Sequence, residues 1–100
     1  RMVQVRALDL GADTTVDATN DESLRGQVHE ATGGGAHVAA DAAGWAAASS
    51  NAVRVLRRGG RMVQVGIPIG EEADPKIPMA LVMGWELTLL GSHGFDMQDL

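Results

Sequence analysis

Two glycine clusters constrain this chain more than any other feature. Gly33-Gly34-Gly35 separates a segment of helical period from the small apolar run Ala36-His37-Val38-Ala39-Ala40. Gly59-Gly60 separates a second helical segment from Met62-Val63-Gln64-Val65-Gly66-Ile67. Glycine ends helices because it enters the left-handed backbone region without a Cβ clash. A chain that passes twice from helical period through glycine into an apolar run is an alternation of helices and strands. That order belongs to an α/β sandwich with a mainly parallel sheet.

The first helical segment spans residues 21–32. Asn20 or Asp21 caps it, Asp21 and Glu22 suit its positive end, and Leu24, Val28 and Ala31 make its buried stripe. His29 falls on the polar side. A strand over 36–41 follows and ends at Asp41-Ala42-Ala43-Gly44. The second helix spans 45–58, with Trp45, Ala48, Ala52, Val55 and Leu56 on one face. Arg54, Arg57 and Arg58 lie in its last turns, where cations offset the negative end of the dipole. Gly59-Gly60 terminate that helix, and a strand over 61–67 runs to Pro68.

Residues 70–76 are acidic and turn-rich, a surface loop. Pro78 opens a short helix over 79–84, and a last strand over 86–91 ends at Gly91-Ser92-His93-Gly94. Upstream, Thr14 to Ala18 is a short β-branched run, a strand at 14–18. Residues 2–10 have helical spacing up to Gly11, although Val3 and Val5 also alternate, so a strand at 2–5 fits too.

The pentapeptide Arg-Met-Val-Gln-Val occurs at 1–5 and again at 61–65. The flanking residues differ and no other register matches, which argues against a repeat architecture. The same five residues are expected to be helix once and strand once.

One hundred residues, 45% of them hydrophobic and 21% charged, suit one globular domain. A net charge of −5 disfavours nucleic acid or an anionic membrane as partner. No apolar run reaches the length of a membrane span. The chain has no cysteine, which excludes disulfides and thiolate metal sites and is consistent with a cytoplasmic protein. His29, His37 and His93 share no metal-ligand spacing. A start at Arg1 inside an apolar pattern, and an end at Asp96 to Leu100 that looks like a helix beginning, suggest a piece of a larger protein.

In parallel sheets, ligands occupy the crevice beyond the carboxyl ends of the strands. Here those ends are Asp41 to Gly44, Gly66 to Pro68 and Gly91 to Gly94, all rich in glycine or small residues. Small residues let a ligand approach the backbone closely; turn formation alone is the plainer explanation. Asp41, a carboxylate at a strand end, either hydrogen-bonds local backbone amides or faces a ligand.

Four segments in this order carry a resemblance: Gly33-Gly34-Gly35-Ala36-His37-Val38, Asp41-Ala42-Ala43-Gly44, Leu56 to Gly66, and Glu86 to Gly94. From Leu10 onward the chain resembles the medium-chain dehydrogenase/reductase family, specifically its zinc-type alcohol dehydrogenases. The resemblance implies the second half of a doubly wound Rossmann domain, with 14–18 as its third strand and 36–41, 61–67 and 86–91 as its fourth, fifth and sixth. It implies NAD or NADP as cofactor. Gly66, Ile67, Pro68, Gly91 and Ser92 would flank the nicotinamide, and Asp41, Ala42 and Gly44 would line the crevice beside ribose and phosphate. The parent would interconvert alcohols and aldehydes or ketones.

The glycine-rich first strand, the zinc ligands and the proton relay of that family have no counterpart in these residues. No catalytic or metal-binding residue is assigned, and the chain alone is expected to be inactive. The resemblance further implies a homodimer or dimer of dimers through strand 86–92, whose Leu87, Leu89 and Leu90 would form an exposed edge. Two alternatives stay open: a non-catalytic nucleotide-binding or dimerisation module, and a zinc-free quinone or enoyl reductase of the same superfamily. In a 3-2-1-4-5-6 sheet, residues 14–18 would lack a neighbour without the first two strands. The piece then either belongs to a bigger molecule or rearranges, with the Arg1 segment or another chain filling the gap.

Overall fold

Three parallel strands form the sheet, in the order β1 (Ala36–Asp41), β2 (Leu56–Gln64), β3 (Thr88–Gly91). The structure is a computed structural model that describes residues 8–14 and 21–93. Helix α1 (Asp21–Thr32) precedes β1, α2 (Ala46–Arg54) connects β1 to β2, and α3 (Met79–Gly84) connects β2 to β3. A single 3₁₀ turn, Gly70–Glu72, interrupts the acidic loop. Parallel neighbours need such crossovers, and the result is a partial Rossmann-like α/β fold. The first Arg-Met-Val-Gln-Val copy and most of 2–10 and 14–18 lie outside the described residues. Residues 8 and 9 end a helical turn, and the N–H of Gly11 (φ +109°) donates to the Leu8 carbonyl at 3.1 Å.

The core is the α2–β2 contact. Val53 of α2 and Leu56 of β2 have no exposed surface, and Ala52 and Met62 pack with them. Burying a side chain of that size contributes about 1.5–3 kcal/mol. Ala36, Ala39, Ile77, Val82 and Leu87 close the rim. In α1, Leu24 is buried and Val28 half-buried, whereas Ala31 is exposed. His29 also departs from expectation. It is half-buried, its ring lies 6.1 Å from that of Trp85, and its Nε2 is enclosed without a hydrogen-bond partner among the described residues. The Arg25 and Arg58 guanidinium groups each lie 5.3 Å from the same indole, so Trp85 gathers α1 and β2 at this end of the sheet.

β1 and α3 have the expected bounds, and Gly33-Gly34-Gly35 ends α1 with three positive φ angles. The second glycine cluster acts differently. Gly59-Gly60 do not terminate α2, which stops at Arg54; they lie inside β2, which begins at Leu56 and not at 61. Ala36 pairs with Leu56 and Val38 with Arg61, so two steps on β1 face five on β2. The surplus residues bulge out at Gly59 (φ +72°), whose N–H donates to the Trp85 carbonyl at 2.8 Å. Gly60 sits where a Cβ would lie 2.8 Å from the Arg57 carbonyl oxygen.

Trp45 is likewise not on the buried face of α2. It is the N-cap residue and 67% exposed. The work of a cap falls to Glu72, whose Oε2 accepts the Ala46 N–H at 2.5 Å from 26 residues away. β2 ends at Gln64, short of 67, and β3 begins at Thr88, not 86. Trp85 and Glu86 instead close α3. Leu87 N–H donates to Val82 (2.9 Å) and Glu86 N–H to Met83 (3.3 Å), the paired bonds of a Schellman motif. That places Glu86 at φ +54°, a position glycine usually occupies. Among the described residues no helix is long and apolar enough to cross a membrane.

Candidate functional site

β2 and β3 finish side by side, with Gln64 paired to Gly91 and the Ser92 N–H donating to the Gln64 carbonyl at 2.9 Å. Beyond their carboxyl ends lies a groove of about 470 Å³, walled by residues 64–68 and 91–93. It brings together Gly66, Ile67, Pro68, Gly91 and Ser92, five of the strand-end residues singled out from the sequence. Asp41, Ala42 and Gly44 are not in its wall. They stand directly behind Gly66, which the Asp41 carbonyl holds by accepting the N–H groups of Val65 (2.9 Å) and Gly66 (2.7 Å).

The close approach that the glycines permit is largely between backbone segments. A Cβ on Gly66 would lie 2.7 Å from the Ala42 carbonyl carbon and nearer still to the Gly44 nitrogen. One on Gly44 (φ +78°) would lie 2.6 Å from the Ile67 carbonyl oxygen. Gly91 differs, since a Cβ there would meet nothing within 4 Å.

Asp41 is 3% exposed, and its carboxylate is committed to the protein. Oδ1 accepts the N–H groups of Ala43 (2.8 Å) and Gly44 (3.1 Å). Oδ2 lies within reach of two donors, Ser49 Oγ at 2.7 Å and Gln64 Nε2 at 3.0 Å. Burial pushes the Asp41 pKa up, but the hydrogen bonds from Ser49, Gln64, Ala43 and Gly44 outweigh it and hold the group below its ordinary 3.8. Of the two roles open to this residue, local hydrogen bonding is the one its side chain performs.

Gln64 Nε2 also donates to the Gly66 carbonyl at 2.7 Å, linking the buried carboxylate to the groove. Both polar groups of Gly66 are therefore hydrogen-bonded within the protein. Ile67 is 61% exposed, and its backbone N–H and carbonyl make no hydrogen bond among the described residues. Sequence reasoning did not single out Ser49 or Gln64. The available signal was a polar residue amid small ones on α2 and a glutamine inside an apolar strand, neither of which names a partner. Of the histidines, His93 reaches the groove's edge and His37 is exposed on β1. Among the described residues, no group of three or more His, Cys, Asp or Glu side chains could hold a metal ion.

The zinc-binding dehydrogenase family model matches residues 4–100. The alcohol dehydrogenase of Aeropyrum pernix is 33% identical over 96% of this chain and 26% of its own, with a TM-score of 0.77. The 2R,3R-butanediol dehydrogenase of Bacillus subtilis is 26% identical over 94% of this chain and 26% of its own, TM-score 0.77. A structure from Sinorhizobium meliloti 1021, assigned as a zinc-binding dehydrogenase and bound to NADP, is 30% identical over 91% of this chain and 27% of its own, TM-score 0.70. The chain thus spans about a quarter of the length of these relatives. Strand order, helical crossovers and family match agree: the chain belongs to the zinc-binding dehydrogenases of the medium-chain dehydrogenase/reductase family, as the C-terminal part of their Rossmann domain.

Proposed function

We propose that this chain supplies the nicotinamide side of the NAD(P) site in a cytoplasmic oxidoreductase that interconverts alcohols and aldehydes or ketones. The observation that carries this reading is the groove at the ends of β2 and β3, lined by Ile67, whose backbone N–H and carbonyl make no hydrogen bond among the described residues. A nicotinamide carboxamide has one group of each kind and is flat enough to enter between the two strand ends. Bound there, the cofactor supplies the hydride acceptor for alcohol oxidation. The chain's own part is to bind and orient the ring. Zinc ligation and proton transfer are left to other parts of the parent protein.

Titration of the parent protein with NADH and NADPH is expected to give saturable binding of at least one; binding of neither refutes the reading. Turnover of alcohols with the matching oxidised cofactor is expected. Activity confined to quinones or enoyl substrates would instead place the parent among the zinc-free reductases. The 100-residue chain by itself is expected to bind weakly, because it holds no glycine-rich phosphate loop.

We also propose that β3 pairs with the β3 of a second copy. All four of its residues are exposed, and Leu89 and Leu90 present an apolar sheet edge. Leu89→Lys is expected to shift the parent toward monomer in sedimentation; an unchanged assembly would count against β3 pairing.

A further inference from the structure

We propose that Gln64 and Ser49 are positioning residues for the nicotinamide: they orient the peptide between Gly66 and Ile67 so that the Ile67 N–H points into the groove. This rests on the reading of the groove as an NAD(P) site. The geometry of one side chain carries it. Gln64 Nε2 lies 3.0 Å from Asp41 Oδ2 and 2.7 Å from the Gly66 carbonyl oxygen. Both are acceptors, so the amide nitrogen and not the oxygen belongs there, and the orientation of the group is determined.

Its Oε1 then faces Ser49 Oγ at 2.9 Å, and that hydroxyl also reaches Asp41 Oδ2 at 2.7 Å. Ser49 and Asp41 are buried, at 2% and 3% exposed, while Gln64 is half-buried and reaches the groove. Asp41, Ser49 and Gln64 thus make one hydrogen-bonded unit, tied through Asp41 Oδ1 to the Ala43 and Gly44 N–H groups and through Gln64 to the Gly66 carbonyl.

The consequence for the groove follows from peptide planarity. The Gly66 carbonyl and the Ile67 N–H belong to one peptide unit, and it is trans, since none among the described residues is cis. In a trans peptide these two groups point in opposite directions. Drawing the carbonyl back toward the buried Asp41 cluster therefore turns the Ile67 N–H away from it, to the open side. The loop does not need this tie to stay in place, since the Asp41 carbonyl already accepts from Val65 and Gly66. What Gln64 adds is the rotational setting of a single peptide, and with it a backbone donor at the groove surface.

The test compares two probes in the parent protein. NADH engages the whole site, whereas ADP-ribose lacks the nicotinamide. Gln64→Leu keeps similar bulk and removes both donors. Its NADH affinity is expected to fall about ten-fold, the scale of one lost hydrogen bond, with ADP-ribose affinity unchanged. Ser49→Ala leaves both Gln64 donors in place and only loosens the amide, so about a three-fold selective loss is expected. It decides the matter if Gln64→Leu does not fold. An equal loss for both probes would mean a structural role only, and unchanged NADH binding would mean no role; either overturns the proposal. Wild-type protein that binds ADP-ribose as tightly as NADH would instead overturn the reading of the groove itself, and the inference with it.

Discussion

Asp41→Ala is expected to destabilise the parent's Rossmann domain by about 3–5 kcal/mol, which denaturant unfolding would measure. The substitution strands the Ala43 and Gly44 N–H groups and removes the acceptor of Ser49 Oγ and Gln64 Nε2. A buried polar group left without a partner costs about 1–3 kcal/mol, so even partial rescue by entering water leaves a large effect. A loss below about 1 kcal/mol, the scale of a surface substitution, would show that the network is not what holds these strand ends.

The same residue sets an acid limit. Its folded-state pKa is lowered from 3.8, chiefly through hydrogen bonds that outweigh the opposing effect of burial. Between the folded and unfolded values the unfolded chain binds more protons, so stability rises with pH there. The contribution is complete above the unfolded value and is lost as pH falls through the folded one. Wild-type protein should therefore lose stability below about pH 4 more steeply than Asp41→Asn, which cannot ionise. Parallel acid profiles for the two would refute this.

Gly66→Ala is expected to cost about 3 kcal/mol, whereas Gly91→Ala should change stability by no more than about 0.5 kcal/mol. The two glycines end neighbouring strands, yet their surroundings differ. The added methyl at 66 would meet the backbone of Ala42 and Gly44, which cannot step aside as a side chain can. Residues 41–44 and 64–68 would have to separate, breaking the bonds from Val65 and Gly66 to the Asp41 carbonyl. At 91 the methyl meets open space. Thermal melts of the two variants in the parent protein would decide. Equal shifts would mean that the contact of the two segments does not dictate glycine at 66.

Much of the fold was legible because its signals are local. Apolar period placed α1, the run of small residues placed β1, and a proline in a first turn placed α3. The strand-end glycines pointed to the crevice, and five of the eight residues named there do line the groove. Asp41, Ala42 and Gly44 support that groove from behind, since glycine reports that something comes close without saying what. Gly59-Gly60 misled for the same reason. A glycine that stops a helix and one that lets a strand bulge both enter the left-handed region, and only the pairing of Val38 with Arg61 distinguishes them.

By itself, then, the sequence determined the alternation of helix and strand, the parallel sheet and the end of it at which a groove opens. These depend on residue period and on backbone preferences within a few positions. Only the tertiary structure decided which groups meet across the chain: Glu72 on the first turn of α2, Trp85 against His29, and Gln64 on Asp41. Hydrogen bonds and buried contacts between residues 20 or more positions apart leave no periodic trace, because their geometry exists only once the sheet has brought its strand ends together.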